Sequence, residues 1–370
     1  MKVVVTHVPA GSGHQRAAEA VFTAFQGLDH SAPSTLLDAL DQVNPWYRWC
    51  FSQGYLNLIH RAPLLWGISY HLTNLKRFSG LFGWIHRISN GLNAKGLETY
   101  FRTQAPDLVI GTHFLPMEVA AYVKRKHRLP MRLITVITDY LPHTLWIAPG
   151  VDTYVVGSLQ AKADLLDRGI GEDRIRLLGI PIDPKFNQPR NRAALAKQLG
   201  LDPKGFTLLI GSGGAGTGPV TQLVTELGKL QEPLQLLAVA GKNQGLCRDL
   251  EQLRARIPHP MKIYGFIHNM DELMQVSDLI VTKSGGLTCA EACAVGLPMI
   301  LVAPIPGQES NNARILESMG AALLGHGIQE VPKLVQQLRQ NPKRLHQMSQ
   351  KAKENSFPDA AVQIARLGRG

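Results

Sequence analysis

Short, almost unbroken apolar runs alternate along the chain with longer segments in which apolar residues recur every three or four positions. This is the pattern of parallel strands buried on both faces and of amphipathic helices that cover them. In the first half, strands are expected at Lys2–His7, Thr35–Leu40, Asp107–Gly111, Arg132–Thr138 and Thr153–Val156. The first of these leads through the turn Pro9-Ala10-Gly11-Ser12-Gly13-His14 into a helix over Gln15–Gln26. The second half repeats the order: strand Phe206–Ile210, turn Gly211-Ser212-Gly213-Gly214-Ala215-Gly216, then a helix opening at Pro219. Further strands are expected at Leu234–Val239, Lys262–Phe266, Leu279–Val281 and Met299–Ala303, with helices such as Gln244–Ile257 between them. The fold class is therefore α/β, with two Rossmann-like domains whose parallel sheets face an interdomain cleft. Residues 1–180 are expected to form the first domain and 181–342 the second, joined at Gly179-Ile180-Pro181-Ile182-Asp183-Pro184. A charged helical tail, 343–370, is expected to pack back on the first domain.

The run from Asp278 to Asn312 holds two successive strand-to-helix transitions. After the strand ending at Val281, Lys283-Ser284-Gly285-Gly286 lets the chain turn sharply, and Leu287–Val295 continues as a helix. Its leading N–H groups, with the hydroxyls of Ser284 and Thr288, suit a diphosphate. Glu291, one turn further on, is placed to accept from the vicinal hydroxyls of a ribose. The next strand, Pro298–Ala303, enters a loop stiffened by Pro304 and Pro306 that presents Gln308 and Glu309 side by side, a pair suited to reading sugar hydroxyls.

Composition narrows the classes. With 370 residues, 45% hydrophobic and 18% charged, the chain is globular and long enough for two cores. No apolar stretch approaches the roughly 18 residues of a membrane span, and MKVVVTHVPAG does not read as a signal peptide. A cytoplasmic protein is expected. Cys50 and Cys247 are isolated, and Cys289 and Cys293 lack a second Cys/His pair, so all four read as small buried hydrophobes. The net charge of +11 calls for an anionic partner. From Gln42 to Leu97 there is no Asp or Glu, whereas Arg48, Arg61, Lys76, Arg77, Arg87 and Lys95 are basic. Trp46, Trp49, Trp66 and Trp84 fall in the same window with Tyr47, Phe51, Tyr55, Tyr70, Phe78 and Phe82. That mixture suits the water–lipid interface; the alternative is an aromatic core layer. Clustered Lys/Arg tracts and RNA modules are missing, so nucleic acid is not expected.

Gly211, Gly213 and Gly216 spell G-x-G-x-x-G, but the next strand ends in Ala240-Gly241-Lys242, without the acid that a dinucleotide ribose needs. No Walker Lys-Ser/Thr follows either early glycine turn. Phosphate cradling by Ser212, Gly213 and Gly214, jointly with Ser284 to Leu287, is what remains. His14, at a helix N-terminus, is expected to be held neutral by the dipole and ready to take a proton. Asp139, at a strand end, is the other base candidate, and His113 a supporting hydrogen-bonding residue.

Together GSGHQRAAEA, VITDYLPHTLW, GIPI, GFIHNMDELM, TKSGGLTCAEA and PIPGQESNNA resemble the GT-B glycosyltransferases that include the monogalactosyldiacylglycerol synthases and the processive diacylglycerol glucosyltransferases (glycosyltransferase family 28). More distantly they resemble the N-acetylglucosaminyltransferase of peptidoglycan synthesis, which differs at the Pro-Gly-Gln-Glu loop. The resemblance implies an inverting, metal-independent transfer of a hexose from UDP-glucose or UDP-galactose to the 3-hydroxyl of 1,2-diacylglycerol. UDP-sugar is then a co-substrate and no cofactor is needed. It implies that Phe266 and Ile267 offer backbone hydrogen bonds to uracil, that Glu291 binds ribose, and that Gln308 and Glu309 read the hexose. Gly13, Ser212, Gly213, Gly214 and Lys283 to Thr288 are the remaining donor contacts. His14 corresponds to a histidine that acts as base or as a donor-phosphate ligand. The aromatic insertion, 42–97, corresponds to the acceptor region, peripherally attached to an anionic membrane on its cytoplasmic face, with no protein partner implied. A polyprenyl-linked or soluble acceptor, and a non-catalytic nucleotide-sugar sensor, are the alternatives.

Overall fold

The unbroken VVVTH run forms strand β1 (Val3–His7), buried at every position, because the sheet around it is covered on both faces. The computed structural model describes residues 1–9, 11–29, 32–75, 89–90, 92–214 and 216–369. Lys76, Arg77, Phe78, Phe82, Trp84 and Arg87 of the aromatic insertion, with Ala10 and Ala215 of the two glycine turns, lie outside the described residues. The chain divides into two units, one of Met1–Asp183, Ile305–Asn311 and Phe357–Gly370, the other of Pro184–Pro304 and Asn312–Ser356.

In the first unit β1 is followed by α1 (Ser12–Leu28), β2 (Ser34–Asp38), α2 (Pro45–Trp49), α3 (Tyr55–Arg61), α4 (Pro63–Asn74), α5 (Lys95–Gln104), β3 (Leu108–Gly111), α6 (Phe114–His127), β4 (Arg132–Val136), β5 (Thr153–Val156), α7 (Leu159–Asp167) and β6 (Ile175–Leu177). The six strands are parallel, in the order β2-β1-β3-β4-β5-β6. Period-2 alternation sends Val4, Val109 and Leu133 to one face, against Leu97, Phe101 and Met117. It sends Val3, Val5, Leu108 and Ile110 to the other, against Val21 and Phe25.

The second unit runs α8 (Arg192–Gln198), β7 (Thr207–Gly211), α9 (Val220–Leu227), β8 (Gln235–Val239), α10 (Gln244–Arg254), β9 (Met261–Tyr264), α11 (Met270–Val276), β10 (Leu279–Thr282), α12 (Gly286–Val295), β11 (Met299–Val302), α13 (Gln308–Ser318), β12 (Ala322–Gly325), α14 (Val331–Gln340) and α15 (Pro342–Glu354). Its parallel order, β12-β11-β10-β7-β8-β9, is the 3-2-1-4-5-6 arrangement of a dinucleotide-type sheet. A last helix, α16 (Ala360–Arg369), belongs with the first unit. Its Ile364 and Ala365 fill the face shared by Val3, Val5, Leu108 and Phe25. Gly368 permits the approach, since a Cβ there would lie 2.8 Å from Leu108.

Two edge strands, β6 and β12, escape the hydrophobic pattern: one is three residues long and carries Arg176, the other is four and ends in Gly325. An edge strand is covered less completely, so its apolar signal is weak. The strand expected at Thr35–Leu40 stops at Asp38, whose carboxylate accepts from Leu40 N at 2.9 Å and turns the chain into a 3₁₀ turn. The first helix starts at Ser12 because Gly11, at φ 88°, completes the turn earlier than the spacing implies.

The tail helix supplies a stability prediction. Replacing the fully buried Ile364 by Ala should destabilise the first unit by about 2–5 kcal/mol. Tryptophan fluorescence during urea unfolding reads this unit, because all five tryptophans lie between residues 46 and 146. An unshifted midpoint would show that α16 does not complete this core in solution.

Candidate active site

Strand order decides where chemistry can gather. In the first sheet, β1 pairs with β2 on one side and β3 on the other, so the loops after β1 and β3 diverge and leave a crevice at their carboxyl ends. His14 stands in the first turn of α1, above that crevice. Its Nδ1 lies 2.8 Å from the Thr112 carbonyl oxygen and 2.9 Å from Thr138 Oγ1. A carbonyl only accepts, so Nδ1 carries the proton and Nε2 is the basic nitrogen. Thr112 Oγ1 returns a hydrogen bond to the His14 carbonyl at 2.8 Å, locking the backbone as well as the ring. Burial pushes the His14 pKa down to about 4, with His7 acting in the same direction and the Thr112 hydrogen bond opposing. The direction is the one expected at a helix N-terminus, but desolvation is its main cause.

Around this imidazole stand His113, edge-on with centroids 4.9 Å apart, and Trp146 at 6.1 Å. His113 is buried, accepts from Leu115 N at 3.2 Å as the cap of α6, and stacks on Phe114 at 4.2 Å. It orders the wall behind His14. Asp139 follows Thr138 in the turn after β4, half-buried. Gly13, beside His14, is likewise half-buried in α1. His7, at the end of β1, was not singled out by the sequence pattern because it closes an apolar run. It is buried, with no hydrogen-bond partner for Nδ1 among the described residues, and burial lowers its pKa.

In the second sheet the order reverses between β7 and β10, which are adjacent, and the two glycine loops leave the sheet side by side. Ser212 is fully buried; its Oγ donates to the Val239 carbonyl at 2.7 Å and its N–H to the same oxygen at 3.3 Å. Ser212 therefore braces the loop, while Gly213, at φ 72° and exposed, and Gly214 form its outer turn. Asn243 Nδ2 donates to the Gly216 carbonyl at 3.0 Å, tying the loop to the start of α10. After β10, Lys283 reaches Thr217 Oγ1 at 3.3 Å, so its ammonium spans both loops. Gly285 is the N-cap of α12 and contributes no side-chain cap; the first turn, with Gly286, Leu287 and the partly exposed Thr288, has no acidic residue. Ser284 and Glu291 are buried. Asn312, also buried, donates from Nδ2 to the Ser284 carbonyl at 3.1 Å and fixes the turn that precedes α12. This role of Asn312 is not legible in the sequence beyond the Asn-Asn pair inside the first turns of α13. Phe266, half-exposed after β9, carries the Lys242 ammonium 5.2 Å from its ring centre, with Ile267 next in the chain.

The loop that presents Gln308 and Glu309 belongs, from Ile305 on, to the first unit. Glu309 is buried and its carboxylate accepts from Ile305 N at 2.8 Å, closing the loop on itself. Trp66 Nε1 donates to Gln308 Oε1 at 3.4 Å. Gly307, at φ 99°, lies against the Tyr70 ring, where a Cβ would come within 2.6 Å of Cγ. The aromatic insertion thus divides by residue. Tyr47, Ile59 and Tyr70 are buried, while Trp46, Trp49, Leu64, Leu65, Ile68, Leu72 and Leu92 are exposed. Cys289 and Cys293 are buried and Cys50 and Cys247 half-buried, all as free thiols. Among the described residues no three His, Cys, Asp or Glu side chains are grouped to hold a metal ion, and no helix is long and apolar enough to cross a membrane.

Comparison with known proteins agrees with this arrangement. The Monogalactosyldiacylglycerol (MGDG) synthase family profile matches residues 14–182, and the Glycosyltransferase family 28 C-terminal domain profile matches 207–364. A processive diacylglycerol beta-glucosyltransferase of Bacillus subtilis (strain 168) is 29% identical over 360 residues, covering 95% of this chain and 91% of that one. Its counterpart in Bacillus cereus (strain AH187) is 33% identical over 271 residues, covering 73% and 69%. Among solved structures, MurG of Acinetobacter baumannii superposes with a TM-score of 0.63 at 18% identity, covering 100% of this chain and 99% of that one. HepE of Anabaena, in complex with UDP, gives 0.60 at 15%, covering 99% of each. These last two speak for the fold alone, which is GT-B. With both sheets, both glycine loops and more than two thirds of each relative's length accounted for, the chain belongs to the MGDG synthase and glycosyltransferase family 28 group and is a glycosyltransferase of the diacylglycerol glycosyltransferase family.

Proposed function

We propose that the protein transfers glucose from UDP-glucose to the 3-hydroxyl of 1,2-diacylglycerol, with inversion at the sugar carbon and without a metal ion. The observation that carries this is the position of His14 Nδ1, 2.8 Å from the Thr112 carbonyl oxygen, which accounts for the ring proton and leaves Nε2 as the acceptor. Nε2 takes the proton of the lipid hydroxyl, the hydroxyl oxygen bonds to the sugar C1, and the bond from C1 to the UDP oxygen breaks on the opposite side. A pKa near 4 keeps the imidazole neutral at pH 7, which suits a base better than a cationic phosphate ligand. The charge that develops on UDP is met by the N-terminus of α12, by Gly213 and Gly214, and by the Lys283 ammonium. Backbone groups of Phe266 and Ile267 take uracil, Glu291 takes ribose, and Gln308 with Glu309 reads the hexose, while Ser212 holds its loop from below. Glucose is favoured over galactose because the relatives are named beta-glucosyltransferases; a β product from an α-linked donor requires inversion. The exposed apolar and basic side chains of residues 46–75 favour attachment to an anionic membrane surface.

UDP release with anionic liposomes containing diacylglycerol should occur with UDP-glucose, more slowly with UDP-galactose, and should survive EDTA. Silence with every hexose donor, in protein that binds UDP, would remove the acceptor assignment; loss in EDTA would remove the metal-free one.

His14→Ala should lower kcat by about 10²–10⁴-fold and leave UDP affinity nearly unchanged, with Asp139→Asn the milder variant. The reverse ranking, with His14→Ala raising the KM for UDP-glucose instead, would make Asp139 the base and His14 a phosphate ligand. Protonation of Nε2 removes the acceptor, so kcat/KM should be level from pH 7 down to about 5 and fall as pH drops through about 4. An acid limb already complete at pH 6 would contradict a neutral His14.

A further inference from the structure

Helix α4 has two faces that the proposed function does not connect. Leu64, Leu65, Ile68 and Leu72 are 78%, 57%, 58% and 47% exposed, and at 3.6 residues per turn they fall within an arc of about 100°. The opposite arc holds Trp66, Gly67, Tyr70, Thr73 and Asn74, and every one of these touches a loop of the candidate site. Gly67 lies under Pro306, where a Cβ would come 2.7 Å from the proline ring. Tyr70 backs Gly307, and Trp66 Nε1 donates to Gln308. Thr73 Oγ1 lies 3.1 Å from His143 Nε2, which also faces the Tyr70 carbonyl at 3.1 Å. Asn74 Oδ1 accepts from Thr144 N at 2.9 Å. The loop that runs on from Asp139 and the turn that carries Gln308 are thus both moored to one helix.

An exposed apolar arc of this size on one helix needs an occupant. Its surroundings specify an anionic bilayer: residues 42–97 contain no carboxylate, and Arg61 and Lys95 are exposed, as is Arg48, which pairs with Asp41 at 2.8 Å. Leucine and isoleucine entering the acyl boundary, with cations at headgroup level, is the arrangement an interfacial helix requires.

We propose that α4 is a coupling element: its outer face seats in an anionic lipid surface, and its inner face, through Trp66, Gly67 and Tyr70, holds the Pro306–Gln308 turn in the form that reads the hexose. Lipid docking and sugar binding then strengthen one another. This rests on the reading of Gln308 and Glu309 as hexose contacts and of the insertion as the membrane face. Trp66 and Tyr70 are positioning residues, acting through Gln308. By linkage, whatever factor vesicles add to sugar-nucleotide affinity, the sugar nucleotide adds to vesicle affinity.

The test separates sugar from nucleotide. Equilibrium dialysis of UDP-glucose and of UDP is run with and without phosphatidylglycerol vesicles that lack diacylglycerol, so that no lipid turnover occurs. UDP-galactose is run in parallel to cover the other hexose. Vesicles should tighten the sugar nucleotide about fivefold or more and leave UDP unchanged. Tyr70→Phe, which keeps the ring against Gly307, should preserve the effect, and Tyr70→Ala should abolish it while vesicle binding persists. Should Tyr70→Ala fail to fold, Leu65→Ser with Ile68→Ser serves instead: vesicle binding weakens, and affinity for UDP-glucose without vesicles stays as in the unaltered protein. Unchanged sugar-nucleotide affinity in vesicle-bound protein, or an equal gain for UDP, overturns the coupling and leaves the proposed reaction standing. Failure of the unaltered protein to bind vesicles at all overturns the coupling and the membrane reading together.

Discussion

Parallel pairing on both sides of one strand is the constraint from which the sites follow. β1 lies between β2 and β3, and β7 between β8 and β10, so in each sheet two loops must leave the strand ends in opposite directions. The opening this creates cannot be filled by either loop. In the first sheet the opening receives His14 from one side and Thr112 from the other; in the second it receives the Gly211–Gly216 loop and the turn before α12. Everything else at these sites is bracing: Asn312 on the Ser284 carbonyl, Asn243 on the Gly216 carbonyl, Ser212 on the Val239 carbonyl. Such buried side-chain bonds cost little once the groups are desolvated together, and leaving any one unmade would be expensive.

Much of this was legible along the sequence. The central strands β1, β3, β4, β7, β8, β10 and β11 are nearly continuous apolar runs, and a strand buried on both faces has no other way to be written. The glycine turns were readable because few residues tolerate the left-handed backbone seen at Gly11 and Gly213. What could not be read were interactions between residues far apart in the chain. No local pattern says that Ser212 turns its hydroxyl inward, that Trp66 meets Gln308 from 242 positions away, or that Thr138 reaches His14. The insertion resisted a single label for a related reason: Tyr47 and Trp46 are neighbours in sequence, yet one is core and the other is 66% exposed.

Tautomer selection is the chemical counterpart of this bracing. A histidine whose two nitrogens face similar partners is a poor base, because half its population carries the proton on the wrong side. Fixing Nδ1–H on a main-chain carbonyl removes that ambiguity without a carboxylate. Among the described residues Nδ1 meets a carbonyl and a hydroxyl; a carboxylate there would raise the pKa that burial has lowered. His143 follows the same rule with the nitrogens exchanged. Its Nδ1 accepts from Leu145 N at 3.2 Å, so its Nε2 donates to the Tyr70 carbonyl.

The place of α16 has a consequence for synthesis. The face of the first sheet lined by Val3, Val5 and Leu108 is closed by Ile364 and Ala365, residues made only after every strand of both sheets. Until then that apolar surface is covered only in part, by Val21 and Phe25 of α1, whereas residues 184–356 hold every strand of the second sheet and can fold as soon as they emerge. The nascent chain must carry its opening strands, half-covered, through the time needed to make some 350 further residues. Of the two units, the one whose strands are made earlier is therefore the one completed later.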